Sequence, residues 1–289
     1  MTELKRFFNK VVLITGAANG VGRSAAERFA QEGAKIILAD RNFKKAKTFA
    51  VALSTEGHEA KAFNFDAESI KSCDELVRFA MNEFGRIDIL VNNVGGTDPI
   101  KDSDILNMDI TYFDKIFHVN IRCMMYLSKL VLPSMIKQGK GVIINLSGNS
   151  SDMADNLYTL YGTTKAGVQC FTRHLATQYA KFGIRCNAVS PGLVMTNKVQ
   201  SFLPKDTRQM FTKFEMEHLV GEPEEVANTI VFLASKDARF INGQTIKVDG
   251  GLSCNTLLMD SVVERYKLEM DRMETPHSAS SSFAIDFED

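Results

Sequence analysis

Short apolar, β-branched runs recur along the chain at Val11–Thr15, Ile36–Ala39, Ala62–Phe65, Ile87–Val91, Val142–Leu146, Ile184–Val189 and Thr245–Val248. Most are continuously apolar rather than alternating, the pattern of parallel strands covered on both faces. The stretches between them are long enough to hold helices. Ser24 to Gln31 carries Ala25, Ala26, Phe29 and Ala30 at helical spacing, with Gly33 as a stop. Thr163–Lys181 and Pro223–Ser235 read the same way, Pro223 standing in a first turn. Strand–helix alternation with short connections predicts an α/β fold: one doubly wound domain of about seven parallel strands, wound right-handedly with helices on both faces.

Two regions break the alternation. Residues 194–218 form an insertion rich in Met, Phe and Leu, and Val199, Phe202, Leu203, Met210, Phe211, Phe214 and Met216 within it suit an apolar cover over a substrate. Beyond residue 251 a C-terminal extension, 252–289, reads as helical over 256–273, where Leu258, Val262 and Tyr266 share one face. Residues 275–282 read as flexible. With no linker or low-complexity break between residues 11 and 248, the expectation is a single domain over 1–251.

Charge and cysteine usage narrow the function. A net charge of −1, with Lys and Arg scattered among acids, argues against nucleic acid as a partner. No apolar run reaches the roughly 18 residues of a spanning helix, and Met1–Phe8 lacks the apolar stretch of a secretory signal, so no membrane partner is expected. Cys73, Cys123, Cys170, Cys186 and Cys254 form no CxxC pair and no metal-spaced cluster; they read as reduced thiols of a cytoplasmic protein without a metal. The five histidines form no constellation with a nucleophile, and no GxSxG occurs, so a hydrolase has no motif behind it. His118 reads as a helix residue beside Asn120.

The chemistry lies elsewhere. Directly after the first strand comes Thr15-Gly16-Ala17-Ala18-Asn19-Gly20-Val21-Gly22, then a helix. Glycines there let the backbone turn tightly and approach a pyrophosphate that faces the helix N-terminus, so Gly16, Asn19, Gly20, Val21 and Gly22 are candidate dinucleotide contacts. Asp40, at the end of the second strand, suits both ribose hydroxyls of NAD and repels the 2′-phosphate of NADP. The alternative, that Asp40 only caps the next helix, stays open. Farther along, Tyr161 and Lys165 stand at i, i+4 and share a helix face. A lysine ammonium beside a phenol is expected to draw the tyrosine pKa down and make Tyr161 an acid/base. A plain surface Tyr–Lys pair would show the same spacing.

Thr15-Gly16-xxx-Gly20-x-Gly22, Asn92-Asn93-Val94-Gly95, Asn120, Tyr161-xxx-Lys165 and Ser190-Pro191-Gly192 stand in the order of the short-chain dehydrogenases/reductases. Over about residues 8–252 the chain resembles that family. The resemblance implies a Rossmann-type fold, NAD as cofactor, and a homotetramer or dimer. It implies Tyr161 as acid/base, Lys165 as its partner and ribose ligand, and Asn120 as support for a proton-relay water. It also implies that Asn92, Asn93 and Gly95 form a turn beneath the adenine-side ribose and that Asp66, with Ala67 beside it, contacts adenine. The segment Pro191–Thr196 would lie over nicotinamide, with Pro191, Gly192, the Val194 backbone and the Thr196 hydroxyl as contacts. Asp88 reads as structural.

One position departs from the family. A serine normally stands 13 residues before the tyrosine, and here that position is Gly148. Ser147 should point away by the strand's period of two, while Asn149 and Ser150 lie in the following loop. The expectation is an NAD(H)-dependent enzyme interconverting a secondary alcohol, apolar or cyclic, and a ketone. Two alternatives stand beside it: a cis-dihydrodiol dehydrogenase of the same family, and a non-catalytic NAD-binding scaffold.

Overall fold

A computed structural model of the chain describes residues 5–154, 156–196, 199–200 and 220–254. Most of the 194–218 insertion, from Phe202 to Met216 among its apolar residues, and the extension beyond residue 254 lie outside the described residues.

Seven parallel strands form the central sheet: β1 (Val11–Thr15), β2 (Lys35–Asp40), β3 (Ala60–Asn64), β4 (Ile89–Asn92), β5 (Gly141–Leu146), β6 (Ile184–Pro191) and β9 (Thr245–Val248). Two further two-residue strands, β7 (Leu193–Val194) and β8 (Val220–Gly221), pair with each other. The sheet order is β3-β2-β1-β4-β5-β6-β9. The order reverses between β1 and β4, and a crevice at the carboxyl ends of such a pair is where doubly wound sheets bind ligands. The register sets Val12 beside Ile36 on one side and Ile89 on the other.

The continuous apolar runs are explained by what covers the sheet. Val12 and Ile14 of β1 pack on one face with Phe29 of α1 (Gly20–Gln31), Phe49 of α2 (Phe43–Thr55) and Ile230 of α7 (Pro223–Ala234). Leu13, between them, packs on the other face with Leu76 of α3 (Ile70–Phe84), Leu127 of α5 (Cys123–Gln138) and Leu175 of α6 (Thr159–Tyr179). Successive residues of one strand thus enter two cores, and each must be apolar. At about 25 cal/mol per Å² of apolar surface, burial on both faces is the main stabilising contribution.

A short helix α4 (Phe113–Phe117) runs into α5 through His118–Arg122, a wider turn of π geometry. Such bulges re-aim a side chain, and this one carries Asn120 inward to full burial. Asp88 is structural, as expected: its carboxylate accepts from the Val11 N–H at 3.0 Å and from Arg86 Nη2 at 2.6 Å, tying the starts of β1 and β4. Its pKa is lowered: burial opposes ionisation, and the hydrogen bonds from Arg86 and Val11 and the nearby Lys10 outweigh it. Among the described residues no helix is long and apolar enough to cross a membrane, and no group of three or more His, Cys, Asp or Glu is placed to hold a metal.

Candidate active site

β1 hands over to α1 through Gly16–Asn19. Gly16 (φ 67°) and Gly20 (φ 52°) take left-handed backbone, which a side chain resists. Gly22 is needed for a different reason: a Cβ there would press into the Gly16 carbonyl and stand 2.6 Å from Asn93 Nδ2. Asn93 staples the turn, donating through Nδ2 to the carbonyls of Thr15 (2.9 Å) and Gly16 (3.1 Å). The N-terminus of α1 has no side-chain cap and no acid in its first turn, whereas α2 and α3 are capped by Asn42 and Ser69. Uncapped N–H groups at the positive end of a helix dipole, beside a turn that a Cβ would block, fit a pyrophosphate.

Asp40 does not cap the next helix; Asn42 does, accepting the Lys45 N–H at 3.1 Å. The Asp40 carboxylate instead accepts from the Ala18 N–H (2.9 Å) and the Asn42 N–H (2.8 Å), which aims it at the glycine turn. Asp66 is exposed at the end of β3, with Ala67 half-buried beside it. Thr196 stands across the turn, its Cγ2 3.0 Å from where a Gly20 Cβ would sit. Ala18, Asn19, Gly20, Lys45, Met195 and Thr196 line a cleft of about 720 Å³. Val194 is buried and its carbonyl accepts the Thr196 N–H at 2.8 Å; a Cβ at Gly192, just after Pro191, would lie 2.8 Å from Asp249 Cβ. Asn92 departs from its expected place in the turn. It is buried and donates to Asn145 Oδ1 at 2.9 Å, which makes it a strand-to-strand tie rather than a ribose contact.

Tyr161 and Lys165 both lie in α6, on the face turned to the end of β5. Lys165 is buried, donates through Nζ to the Leu146 carbonyl at 2.8 Å, and sits 5.4 Å from the centroid of the Tyr161 ring. Gly95 is where it is because a Cβ would stand 3.1 Å from Lys165 Nζ and 3.3 Å from Asn120 Oδ1. Asn120 accepts the Gly96 N–H at 2.9 Å and donates to Thr164 Oγ1 at 3.0 Å. One cluster thus unites Asn120, Tyr161, Lys165 and Gly95.

The expected direction of the tyrosine shift is corrected by burial. Desolvation raises the Tyr161 phenol to about 12 and lowers the Lys165 ammonium to about 8. Taking charge out of water penalises phenolate and ammonium alike, and at this site that penalty exceeds the pull of the ammonium on the phenol. Below pH 8 the pair is a neutral phenol beside a charged lysine.

Gly148 faces the same cluster. A Cβ built on it would lie 3.4 Å from Tyr161 Oη, ordinary contact distance. Ser147 points away, donating to the Lys165 carbonyl at 3.0 Å. Asn149 turns toward Asp249 Oδ2 (3.2 Å), and the Ser150 carbonyl packs on Gly162.

Two residues of this neighbourhood escaped the sequence reading. Thr164, fully buried, accepts from Asn120 and donates to the Tyr161 carbonyl at 2.7 Å. Asp102, also fully buried, accepts the N–H groups of Leu160 (2.8 Å) and Tyr161 (3.0 Å). A threonine three residues after a helix tyrosine carries a faint signal; an aspartate 59 positions earlier carries none.

Comparison with known proteins finds relatives over most of the chain. Residues 16–253 match a protein family described as Enoyl-(Acyl carrier protein) reductase. The chain is 49% identical to a 7alpha-hydroxysteroid dehydrogenase of Bacteroides fragilis over 86% of its own length and 96% of the relative's. It is 36% identical to a protein of the same name from Paraclostridium sordellii, over 88% of this chain and 95% of that one. Among solved structures, a 7 alpha-hydroxysteroid dehydrogenase complexed with NADH and 7-oxo glycochenodeoxycholic acid superposes with a TM-score of 0.80 at 30% identity, covering 87% of this chain and 97% of that one.

Proposed function

From the premise that the chain belongs to the short-chain dehydrogenase/reductase family and is an NAD-dependent oxidoreductase acting on CH–OH groups, we propose that it interconverts a ring hydroxyl of a steroid and the corresponding ketone, with Tyr161 as acid/base. The scaffold alternative falls with that premise, and no observation favours the dihydrodiol reading.

The observation that carries the chemistry is the cluster of half-buried Tyr161 with buried Lys165 and Asn120 beside Gly148. NAD, when bound, accepts or supplies the hydride. Gly16, Asn19, Gly20, Val21 and Gly22 would hold its pyrophosphate, Asp40 its adenosine ribose, and Asp66 with Ala67 its adenine. Asn93 and Gly95 would shape the floor, Lys165 would hold the second ribose, and Pro191, Gly192, Val194 and Thr196 would cover the nicotinamide end. Tyr161 moves the hydroxyl proton, and Lys165, charged below pH 8, favours the passage of negative charge onto the phenol oxygen.

A steroid is favoured by the names of the relatives and by the segment after Gly96. There Ile105 and Leu106 are 72% and 87% exposed, on a stretch whose Ser103 carbonyl accepts the Thr159 hydroxyl at 3.1 Å, at the start of α6. Exposed apolar groups on the loop that also holds the start of the catalytic helix suit a flat hydrocarbon frame bearing one reacting hydroxyl. A homo-oligomer, dimer or tetramer, is part of the same reading, supported by Phe232 of α7 and Phe240 just beyond that helix standing exposed.

The mechanism is tested by substitution. Tyr161→Phe is expected to lower kcat by roughly 10²-fold or more while leaving NADH affinity unchanged, the range of positioned proton transfer. Lys165→Met is expected to damage both. Steady-state kinetics and fluorescence titration of NADH check this. A Tyr161→Phe protein that keeps a tenth of the activity removes the acid/base assignment.

A further inference from the structure

Helix α6 begins without any start signal of its own. Its first residue is preceded by Tyr158, a non-glycine residue in left-handed backbone (φ 65°, ψ 38°), whose side chain caps nothing. Helix starts leave N–H groups that need acceptors, and an acceptor usually comes from the residue just before. Here it comes from far away. The carboxylate of Asp102, fully buried, takes the Leu160 N–H with Oδ1 and the Tyr161 N–H with Oδ2. Its own carbonyl takes the Tyr158 N–H at 3.2 Å, and the next carbonyl, of Ser103, takes the Thr159 hydroxyl. Thr97 Oγ1 donates the third bond to the carboxylate, at 2.7 Å.

These bonds close a ring around the acid/base residue. Asn120 Oδ1 holds Gly96, next to Thr97; Thr97 holds Asp102; Asp102 holds the Tyr161 N–H. From the other side Asn120 Nδ2 holds Thr164, whose hydroxyl holds the Tyr161 carbonyl. The backbone of Tyr161 is therefore clamped at both its N–H and its C=O. A buried carboxylate that meets three donors, and no cation among the described residues, stays only if each donor points at an oxygen, so its geometry is rigid.

We propose that Asp102 is a positioning residue: it sets the first turn of α6, and through it the place of the Tyr161 hydroxyl, from the loop that follows β4. The proposal rests on the reading of Tyr161 as acid/base given above. It also makes this loop, which bears Ile105 and Leu106, mechanically continuous with the catalytic helix.

The test uses the full chain carrying Asp102→Asn, which keeps the shape but sets an amide NH2 against incoming donors. With a 7α-hydroxysteroid and NAD⁺, kcat is expected to fall roughly 10–100-fold, the scale of a misplaced reacting group, while KM and the Kd for NADH stay within about twofold. Thr97→Val, which leaves the carboxylate but removes its third bond, is expected to give the same split with a loss of about threefold to tenfold, a lost hydrogen bond's worth. Hydrogen exchange of a peptide spanning residues 158–165 is read in parallel and needs no turnover; faster exchange there, with the sheet unchanged, is the expected result. Unchanged kcat and unchanged exchange in Asp102→Asn overturn the proposal, as does a parallel collapse of kcat, KM and NADH binding in Thr97→Val. Full turnover by Tyr161→Phe overturns the acid/base reading instead, and leaves the exchange result to decide the role of Asp102 in the helix.

Discussion

Burial sets the protonation of the reacting pair. With its phenol at about 12, Tyr161 stays protonated through the neutral range and is ready to donate to a ketone oxygen. Lys165 is the group that titrates nearby: its acid form prevails below about 8 and is lost as pH rises through that value. Ketone reduction should therefore run at a level rate up to about pH 8 and decline above it. A kcat–pH profile with NADH checks this, and a rate that climbs across that interval contradicts the role given to the lysine. Gly148 makes a second prediction. The space beside Tyr161 Oη accepts a Cβ at 3.4 Å, so Gly148→Ser should fold and add a donor to the developing oxyanion. A severalfold higher kcat is expected, and an unchanged kcat would show that the oxyanion already has its donors. Tyr161 and Lys165 were legible in the sequence as a pair because their i, i+4 spacing is local, and Asn120 only through its place in the family's order of motifs. Asp102 and Thr164 were not, since their roles exist only once a loop and a helix meet. The tyrosine shift was misread for a related reason: spacing shows that a lysine is near, and only the fold shows how little water reaches the pair.

Elements were legible where period and packing coincide. All seven strands of the central sheet fall where the apolar runs placed them, within two residues at each end; the five inner ones bury both faces, and the edge strands β3 and β9 are only partly buried. Helix starts were less legible. α1 begins at Gly20 rather than Ser24, since glycines have poor helix propensity and the N-terminus is shaped for an anion rather than for a cap. α6 begins at Thr159 rather than Thr163, because its cap is supplied by Asp102 from another part of the chain. The turn before α1 yields a prediction at this scale. Gly22→Ala should press a methyl group into the Gly16 carbonyl and Asn93, displacing the N–H groups of the first turn. NADH affinity is expected to fall by roughly tenfold or more, with the far-ultraviolet dichroism of the fold retained; a few kcal/mol of overpacking is enough for that loss. Native affinity in a folded Gly22→Ala protein would mean that the cofactor does not use this turn.

Among the described residues, two cores flank the seven-stranded sheet, whose carboxyl edge carries the candidate cofactor residues, while helices bring Asn120, Tyr161 and Lys165. Gly16 follows β1, Asp40 ends β2, Asp66 follows β3, Asn93 follows β4, Gly148 follows β5 and Pro191 ends β6. Parallel winding is what makes this possible, because it brings all the strands to one edge with the same polarity. The sequence order of motifs was enough to read this plan. It was not enough to read the substrate, which is recognised by loops whose shape follows from no motif. The most direct measurement is therefore turnover itself: the purified chain, NAD⁺ and a 7α-hydroxysteroid, followed by NADH absorbance and by identification of the steroid product. Formation of the 7-oxo steroid in step with NADH, at a kcat/KM well above that for a small acyclic diol, is the expected result. NADH formed from the diol, with none formed from the steroid, would contradict it.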